Sequence, residues 1–257
     1  AELDDATIDA VIDRSRRRLK VDTLDLVQFH WWDYAVPRYV EVATWLAELQ
    51  RAGKVRLLGT TNFNTARLRE IVAAGVPVVS NQVQYSLIDR RADNDMVDFC
   101  QENGIGLLCY GSIAGGFLSA RWVGQADPAG ILPNRSLTKY KLIIDEFGGW
   151  PLYQDLLSAL SKIARRHQVS PTNVATRWVL DRPAVAAVLV GMRSATHLRD
   201  NLGVFDLHLD EQDFRLLDEV LSRAAGPEGE PFELERIPGG PHSAIMKTDL
   251  NRQSSSG

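Results

Sequence analysis

Short apolar runs alternate with segments of helical periodicity along most of this chain, and this alternation limits the folds it can adopt. Five runs have the length and composition of buried strands, and apolar residues at helical spacing follow each of them. Strands that alternate with helices predict a parallel sheet covered by helices. The predicted strands are 24–30, 55–59, 76–82, 105–110 and 184–190.

Capping residues mark several of the helix ends. Gly53 ends the helix that follows the first strand, and Asn64 caps the helix after the second. Ser170 and Pro171 give a capped start with proline at the first helical position. Besides the helix that begins at Asn64, the predicted helices are 5–19, 39–52, 92–103, 137–147, 152–167, 171–181, 195–203 and 211–222.

Two parallel architectures fit this order of elements, a closed (β/α)8 barrel of the TIM type and a doubly wound open sheet. The glycine-rich first turn of a dinucleotide-binding open sheet is absent from the sequence, as is a phosphate-binding P-loop. We therefore favour a partial α/β barrel over residues 1–223, with a long loop at 111–150 and an irregular or mobile extension at 224–257. A complete barrel needs three strands more than the five found.

Composition and charge narrow the class of protein. At 257 residues, 45% hydrophobic and with a net charge of -4, the chain has a large core and no basic patch for nucleic acid or an anionic membrane. Cys100 and Cys109 lie in apolar stretches without metal-ligand spacing, as expected of free thiols in a cytoplasmic protein. The acidic residues 1–5 predict no secretory leader.

Polar or glycine-rich residues stand at the end of each predicted strand. In parallel α/β barrels the chemistry takes place at the carboxyl ends of the strands, so these residues are candidates for a site. They are His30, Thr61 with Asn62, Gln82, Tyr110 with Gly111 and Ser112, and Gly191 with Met192 and Arg193.

The chemistry of this set suits a nicotinamide ring. A histidine polarises a carbonyl, Asn and Gln amides pair with a carboxamide, and a tyrosine offers a face for stacking. Residues 191–194 and the helix start after them favour phosphate. Each position also has a structural interpretation on its own: His30 as a satisfied strand-end residue, Asn62 as a turn residue, Arg193 as a surface charge, and Gln82 and Tyr110 as rim packing.

Four segments together resemble the aldo-keto reductase superfamily, in the family's order and at roughly its spacing. The resemblance covers about residues 5–222 and implies reduction of an aldehyde or ketone with NADPH (NADP) on a (β/α)8 barrel. The segments are Leu24-Asp25-Leu26-Val27-Gln28-Phe29-His30, Gly53-Lys54-Val55-Arg56-Leu57-Leu58-Gly59-Thr60-Thr61-Asn62-Phe63, Ser80-Asn81-Gln82-Val83-Gln84-Tyr85, and the stretch from Gly191-Met192-Arg193 to Asp200-Asn201-Leu202.

The resemblance also implies roles for individual residues. His30 matches the active-site histidine that orients the substrate carbonyl, and Tyr110 matches the aromatic residue under the nicotinamide ring. Arg193 falls where some members grip the 2′-phosphate of NADPH, which bears on the choice between NADPH and NADH. The remaining matches are Thr61, Asn62 and Gln82 with the carboxamide, Ser112 and Gly191 with the phosphates, Asn201 with the adenine, and His197, which replaces a commoner Gln or Arg.

The family's catalytic Asp, Tyr and Lys precede the strand that carries the histidine, and the chain has no matching segment. The resemblance thus implies that strands 4–8 are present and that three units, on the order of 90 residues, are lacking. Tyr34 is a candidate proton donor, although Trp31-Trp32-Asp33-Tyr34 is more typical of a pocket wall. Other loop aromatics, Phe117, Trp122, Trp150 and Phe232, suggest an apolar or aromatic carbonyl substrate.

Three functional hypotheses follow. The chain is part of a complete reductase that acts on a small-molecule carbonyl compound, or it is a non-catalytic NADP(H)-binding or regulatory protein on the same scaffold. A third hypothesis is a half-barrel that self-associates through its open sheet edges. The first is favoured because the residues that match the cofactor positions occur together.

Overall fold

Five parallel strands form one sheet in a computed structural model that describes residues 3–128, 130, 132–192 and 195–246. Their order in the sheet is their order in the sequence, β1-β2-β3-β4-β5. The strands are β1 Leu24–His30, β2 Val55–Thr61, β3 Val78–Gln84, β4 Gly106–Tyr110 and β5 Val185–Leu189.

This sequential order is the arrangement of a barrel wall. A right-handed crossover between each strand and the next places every connecting helix on the same face of the sheet. A doubly wound sheet, in contrast, reverses its strand order at a switch point, and none of the described strands does so. The parallel α/β prediction is therefore confirmed, and the sheet has the strand order of the predicted barrel type.

Strand β3 lies two residues further along the chain than predicted. The prediction began at Val76, but Pro77 follows it and has no backbone N–H to donate to a neighbouring strand. The amide of Val76 instead bonds the carbonyl of Ile71 at the end of the preceding helix, and pairing with β2 begins at Val78.

The helices cover one face of the sheet. Residues of that face and of the helices on it are buried, among them Leu58, Leu68 and Leu107. The helices are α1 Asp5–Leu19, α2 Tyr39–Arg51, α3 Thr65–Ala73, α4 Met96–Glu102, α5 Arg135–Phe147, α6 Gly149–His167, α7 Pro171–Leu180, α8 Leu198–Leu202, α9 Glu211–Leu221 and α10 Pro241–Ala244.

The opposite face of the sheet is partly exposed. Leu26 of β1 and Leu57 of β2 are register partners on that face, and 38% and 37% of their surfaces are accessible. Leu189 of β5 is 42% accessible. Strands β1 and β5 form the two edges of this sheet, so within the described residues the sheet is open and not closed into a ring.

The predicted long loop at 111–150 is helical in its second half. Helix α5 fills its second half, and α6 begins within it at Gly149. The Asn134 side chain accepts a hydrogen bond from the amide of Leu137 and caps α5. The described residues between Gly111 and Asn134 are irregular apart from two short 3-10 turns.

Residues 226–246, which we name the C-terminal strap, pack across the carboxyl ends of the strands. The Glu230 carboxylate accepts hydrogen bonds from the amide and the hydroxyl of Thr65 at the start of α3. At the far end of the strap, His242 Nε2 lies 2.9 Å from Glu146 Oε1 on α5. As far as Met246 this segment is packed against the rest of the molecule, and it contains the short helix α10. The predicted division at residue 223 stays a prediction, and residues 247–257 lie outside the described residues.

A fully buried ion pair lies beneath the strap. Arg91 Nη2 and Nε each donate to Asp89 at 2.8 Å, and neither side chain is exposed. Gln84 Nε2 at the end of β3 donates to the same carboxylate at 2.5 Å, and Arg91 Nη1 donates to the carbonyl of Glu230 at 3.2 Å. The pair therefore links a strand end to the strap.

Removing the acidic partner of this pair tests its contribution to stability. In Asp89→Ala the buried guanidinium loses its nearest carboxylate, and we expect the free energy of unfolding to fall by about 3–5 kcal/mol in urea titrations. Asp155→Ala is the control, because its partner Arg223 and Asp155 are each 54% exposed and such pairs contribute about 1 kcal/mol or less. Equal losses in the two variants would contradict this expectation.

Candidate functional site

Five predicted residues converge near the carboxyl ends of β1 to β4, and we name them the strand-tip cluster: His30, Thr61, Asn62, Gln82 and Tyr110. Gln82, predicted to end its strand, lies two residues before the end of β3. Sheet register aligns the first three strands, with His30 opposite Thr61 and Thr61 opposite Gln82. The Tyr110 hydroxyl donates to Asn62 Oδ1 at 2.9 Å and so joins β4 to the group. The parallel topology thus brings together residues that are far apart in the sequence.

Asn62 has a left-handed backbone conformation, with φ at 57°. Asparagine is among the few residues other than glycine that adopt it readily. In this conformation the backbone N–H of Asn62 donates to the carbonyl of Gln82 at 2.9 Å. The Tyr110 hydroxyl occupies Oδ1, whereas Nδ2 makes no hydrogen bond to the described residues. The side-chain Nδ2 group of Asn62 is therefore an oriented hydrogen-bond donor at this site.

Gln28 belongs to the site, although its position was not among the predicted site residues. Its Nε2 lies 3.3 Å from Gln82 Oε1, and its Oε1 accepts from the Thr61 hydroxyl at 3.3 Å. Side chains two residues apart in a strand share a face, so Gln28 lies on the face that carries His30. That alternation was the available signal for it. The bridge fixes the Gln82 amide so that its own NH₂ group remains a donor.

Tyr110 lies in a charged surrounding that its strand-end position did not reveal. The Lys139 ammonium of α5 lies over the Tyr110 ring, 5.3 Å from its centroid, and forms an ion pair of 2.9 Å with Glu235 of the strap. Burial, followed by the negative charge of Glu235, raises the pKa of Tyr110 well above its ordinary value. The phenol therefore stays protonated and remains a hydrogen-bond donor to Asn62.

His30 is flanked by aromatic rings. Phe232 of the strap meets it edge-on with ring centroids 6.0 Å apart, and Trp32 lies at 6.5 Å. Partial burial, followed by the positive charge of Arg236, lowers the pKa of His30 below its ordinary value. At neutral pH the imidazole is therefore mainly uncharged, with one N–H available to donate to a carbonyl oxygen.

The predicted aromatic pocket wall divides into two groups. Trp32 and Phe232 lie beside His30, as expected of a wall. Phe117, Trp122 and Trp150 instead pack on one another with Tyr153, at centroid distances between 4.6 and 6.2 Å. Phe117 is fully buried and belongs to the hydrophobic core, so it is not a pocket residue. Trp31 packs against Phe29 at 5.8 Å, and its indole N–H donates to backbone carbonyls of the same loop.

Tyr34 is a packing residue in this structure. Its ring lies against Tyr39 and Phe63 at centroid distances of 5.7 and 5.9 Å, and the Arg236 guanidinium covers it at 4.2 Å. Burial raises its pKa above the ordinary value, and its hydroxyl lies 3.4 Å from the carbonyl of Asn62. These contacts favour the wall interpretation over the proton-donor one.

The predicted phosphate and adenine contacts lie around β4 and β5. The Ser112 side chain is buried, and its hydroxyl has no hydrogen-bond partner among the described residues. Gly191 and His197 are exposed, and Asn201 of α8 borders a mostly apolar groove of about 370 Å³. Arg193 lies outside the described residues. These assignments stay predictions.

Metal sites and membrane-spanning helices are two further features that a chain of this kind could carry. Within the described residues, no cluster of three or more His, Cys, Asp or Glu side chains has the spacing to hold a metal ion. None of the helices in that part of the chain is long and apolar enough to cross a membrane.

Comparisons with known proteins agree with the geometry. The model of the aldo/keto reductase family matches residues 1–222. Flagellar radial spoke protein 5 of Chlamydomonas reinhardtii is 32% identical over 62% of this chain and 34% of its own length. Aldo-keto reductase YhdN of Bacillus subtilis is 29% identical over 84% of this chain and 65% of its own length.

A solved structure shows the same fold. The glycerol dehydrogenase AKR11B4 from Gluconobacter oxydans superposes with a TM-score of 0.73 at 26% sequence identity, over 88% of this chain and 67% of that one. The chain thus spans about a third of one curated relative and about two thirds of the other.

The aromatic contact on His30 leads to a testable pKa shift. Phe232→Ala opens one side of the imidazole to water, and because burial is the main cause of the lowered pKa, we expect the pKa of His30 to rise. NMR titration of the imidazole C–H signals, assigned with His30→Gln, measures it. Phe205→Ala is the control, since Phe205 is 66% exposed. An unchanged His30 pKa in Phe232→Ala would refute the proposed cause.

Proposed function

Because this chain belongs to the aldo/keto reductase family, we propose that its strand-tip cluster holds the nicotinamide of NADPH during reduction of an aldehyde or ketone. One observation carries this proposal. The Asn62 side chain presents an Nδ2 donor that has no hydrogen-bond partner among the described residues, at the same end of the sheet as His30. An amide donor next to a carbonyl-polarising group is what a nicotinamide carboxamide and a carbonyl substrate require together.

Each member of the cluster has a proposed part. The amides of Asn62 and Gln82, with the Thr61 hydroxyl, hold the carboxamide, and Tyr110 stacks on the ring through the face that Lys139 does not cover. The bound nucleotide supplies the hydride for the reduction. The His30 N–H donates to the substrate oxygen and stabilises the negative charge that develops there.

The rest of the nucleotide is assigned to residues near β4 and β5. We propose that Gly191 and the free Ser112 hydroxyl contact the phosphates and that Arg193 binds the 2′-phosphate. His197 and Asn201 lie on the adenine side. The mostly apolar groove beside Asn201 supports this assignment, because an adenine ring buries apolar surface.

We further propose that the five strands take the places of the last five strands of a (β/α)8 barrel. The sequential strand order and the partly exposed face with Leu26 and Leu57 support this. The proton-donating tyrosine and its lysine would then lie outside these 257 residues. Tyr34 and Tyr110 support that view, because both hydroxyls are engaged with Asn62.

A second candidate function is nucleotide binding without catalysis. The same absence of a free tyrosine hydroxyl among the described strand ends favours it, as does the likeness to a flagellar radial spoke protein. Self-association through the β1 and β5 edges and a cytoplasmic location remain part of the proposal. The open edges support the former, and the buried free thiols Cys100 and Cys109 support the latter.

Nicotinamide fluorescence separates these functions. We expect the 257-residue protein to bind NADPH without reducing a simple aldehyde, whereas a chain that also supplies the tyrosine and lysine does both. Measurable reduction by the 257-residue protein alone would show that our placement of those two groups is wrong. Failure of the longer chain to reduce any aldehyde or ketone would favour the non-catalytic function.

Asn62→Gly tests the carboxamide contact. Glycine keeps the left-handed backbone and removes only the amide, so we expect affinity for NADPH to fall between about twofold and tenfold. Affinity for 2′-phospho-ADP-ribose, which lacks nicotinamide, should not change. Gln50→Ala, which removes an amide bonded to Arg56 near the start of β2, is the control. A parallel loss for both ligands would refute a contact specific to the nicotinamide.

Arg193→Ala tests the choice of nucleotide. Loss of a charge-assisted contact to the 2′-phosphate should weaken NADPH binding by roughly tenfold to a hundredfold and leave NADH binding unchanged. Arg199→Ala, on the exposed surface of α8, is the control. Equal effects on NADPH and NADH would remove Arg193 from the 2′-phosphate site.

A further inference from the structure

The guanidinium of Arg236 connects the strap to the ends of two strands. Its Nη2 donates to the carbonyls of Trp31 and Asn62, both at 2.9 Å, and its Nε donates to the carbonyl of Trp32 at 3.0 Å. A fourth bond, from Nη1 to the carbonyl of Phe232 at 3.3 Å, ties the group back to the strap. One side chain thus holds the chain just beyond β1 and just beyond β2.

Aromatic rings hold the guanidinium in this orientation. It lies 4.2 Å from the centroid of the Tyr34 ring and 5.0 Å from that of Phe232. No carboxylate pairs directly with Arg236 among the described residues, so its charge is balanced by carbonyl dipoles and ring faces. Such a group is costly to bury, which is why burial lowers its pKa.

The bond to Asn62 bears on the proposed nicotinamide site. The left-handed conformation turns the Asn62 backbone carbonyl toward Arg236, while the Asn62 backbone N–H donates to the carbonyl of Gln82. Rotation of this backbone would redirect the side chain that carries the free Nδ2 donor. The carbonyls of Trp31 and Trp32 lie directly after His30, so the same guanidinium also fixes the loop that leaves the histidine.

We propose that Arg236 is a positioning residue. The Arg236 guanidinium docks the C-terminal strap on the strand ends and so sets the orientation of the Asn62 side-chain amide and of the loop after His30. The inference rests on the proposed function for its meaning in nucleotide binding. Lysine does not replace Arg236 here, because a single ammonium lacks the planar array of donors that reaches three carbonyls of two strand ends.

Three variants of Arg236 separate positioning from charge. We expect Arg236→Met and Arg236→Lys each to weaken NADPH binding by about tenfold and to leave the affinity for 2′-phospho-ADP-ribose unchanged. In Arg236→Ala, added ethylguanidinium should restore part of the NADPH affinity, which a general loss of structure would not allow. Arg223→Met is the control, since it removes an exposed guanidinium near the start of the strap.

Hydrogen exchange provides a readout that needs no nucleotide. The Asn62 amide donates to Gln82, and we expect its exchange rate to rise at least about tenfold in Arg236→Met but not in Arg223→Met, in protein whose near-ultraviolet circular dichroism is native-like. If Arg236→Met does not fold, the comparison is made in Arg236→Lys.

The outcomes are distinguishable. One outcome is that the unmodified protein binds no NADPH even though exchange of the Asn62 backbone N–H is faster in Arg236→Met. In that case the proposed function fails and the positioning role stands. If NADPH binds equally well to both Arg236 variants, or if the Asn62 amide exchanges at the same rate in them, the positioning role is overturned. Equal losses for NADPH and 2′-phospho-ADP-ribose would likewise overturn it.

Discussion

Sequential pairing of parallel strands is the constraint on which the rest of this molecule depends. Every strand runs the same way and pairs with its sequence neighbours. All five carboxyl ends therefore lie at the same end of the sheet. His30, Thr61 and Gln82 become neighbours for this reason alone. The helices that connect successive strands are confined to one face of the sheet by the same handedness rule.

The placement of three cationic side chains then sets the electrostatics at the carboxyl ends of the strands. Arg91 and Lys139 contact the strap and Arg236 belongs to it, and the three charges are balanced in different ways. Arg91 pairs with Asp89 without solvent, Lys139 pairs with Glu235, and Arg236 is held by carbonyls and aromatic rings. Only the last leaves its positive charge close enough to His30 to affect the imidazole. The strap is thus both a cover and an electrostatic component of the site.

Much of this could be read from local sequence patterns, and the exceptions have physical causes. Apolar runs located all five strands to within about two residues, and residues at the strand ends became the cluster. The start of β3 was misplaced because Pro77 breaks the ladder within an apolar run. Phe117 looked like a pocket residue because a buried aromatic cluster and a pocket wall have the same composition. Lys139 and Arg236 gave no local signal, since only long-range packing brings them to the strand ends.

The distance along the chain between Arg236 and its partners has a consequence for folding. Each strand of the sheet pairs with the next one in sequence, so the sheet is able to grow stepwise as the chain lengthens. The bond from Arg236 to Trp31, in contrast, spans 205 residues. Closing so large a loop is rewarded only after the strand ends are in place. The geometry around Asn62 is therefore completed by one of the most non-local contacts in the molecule, and a partly folded chain with an intact sheet would still lack its finished site.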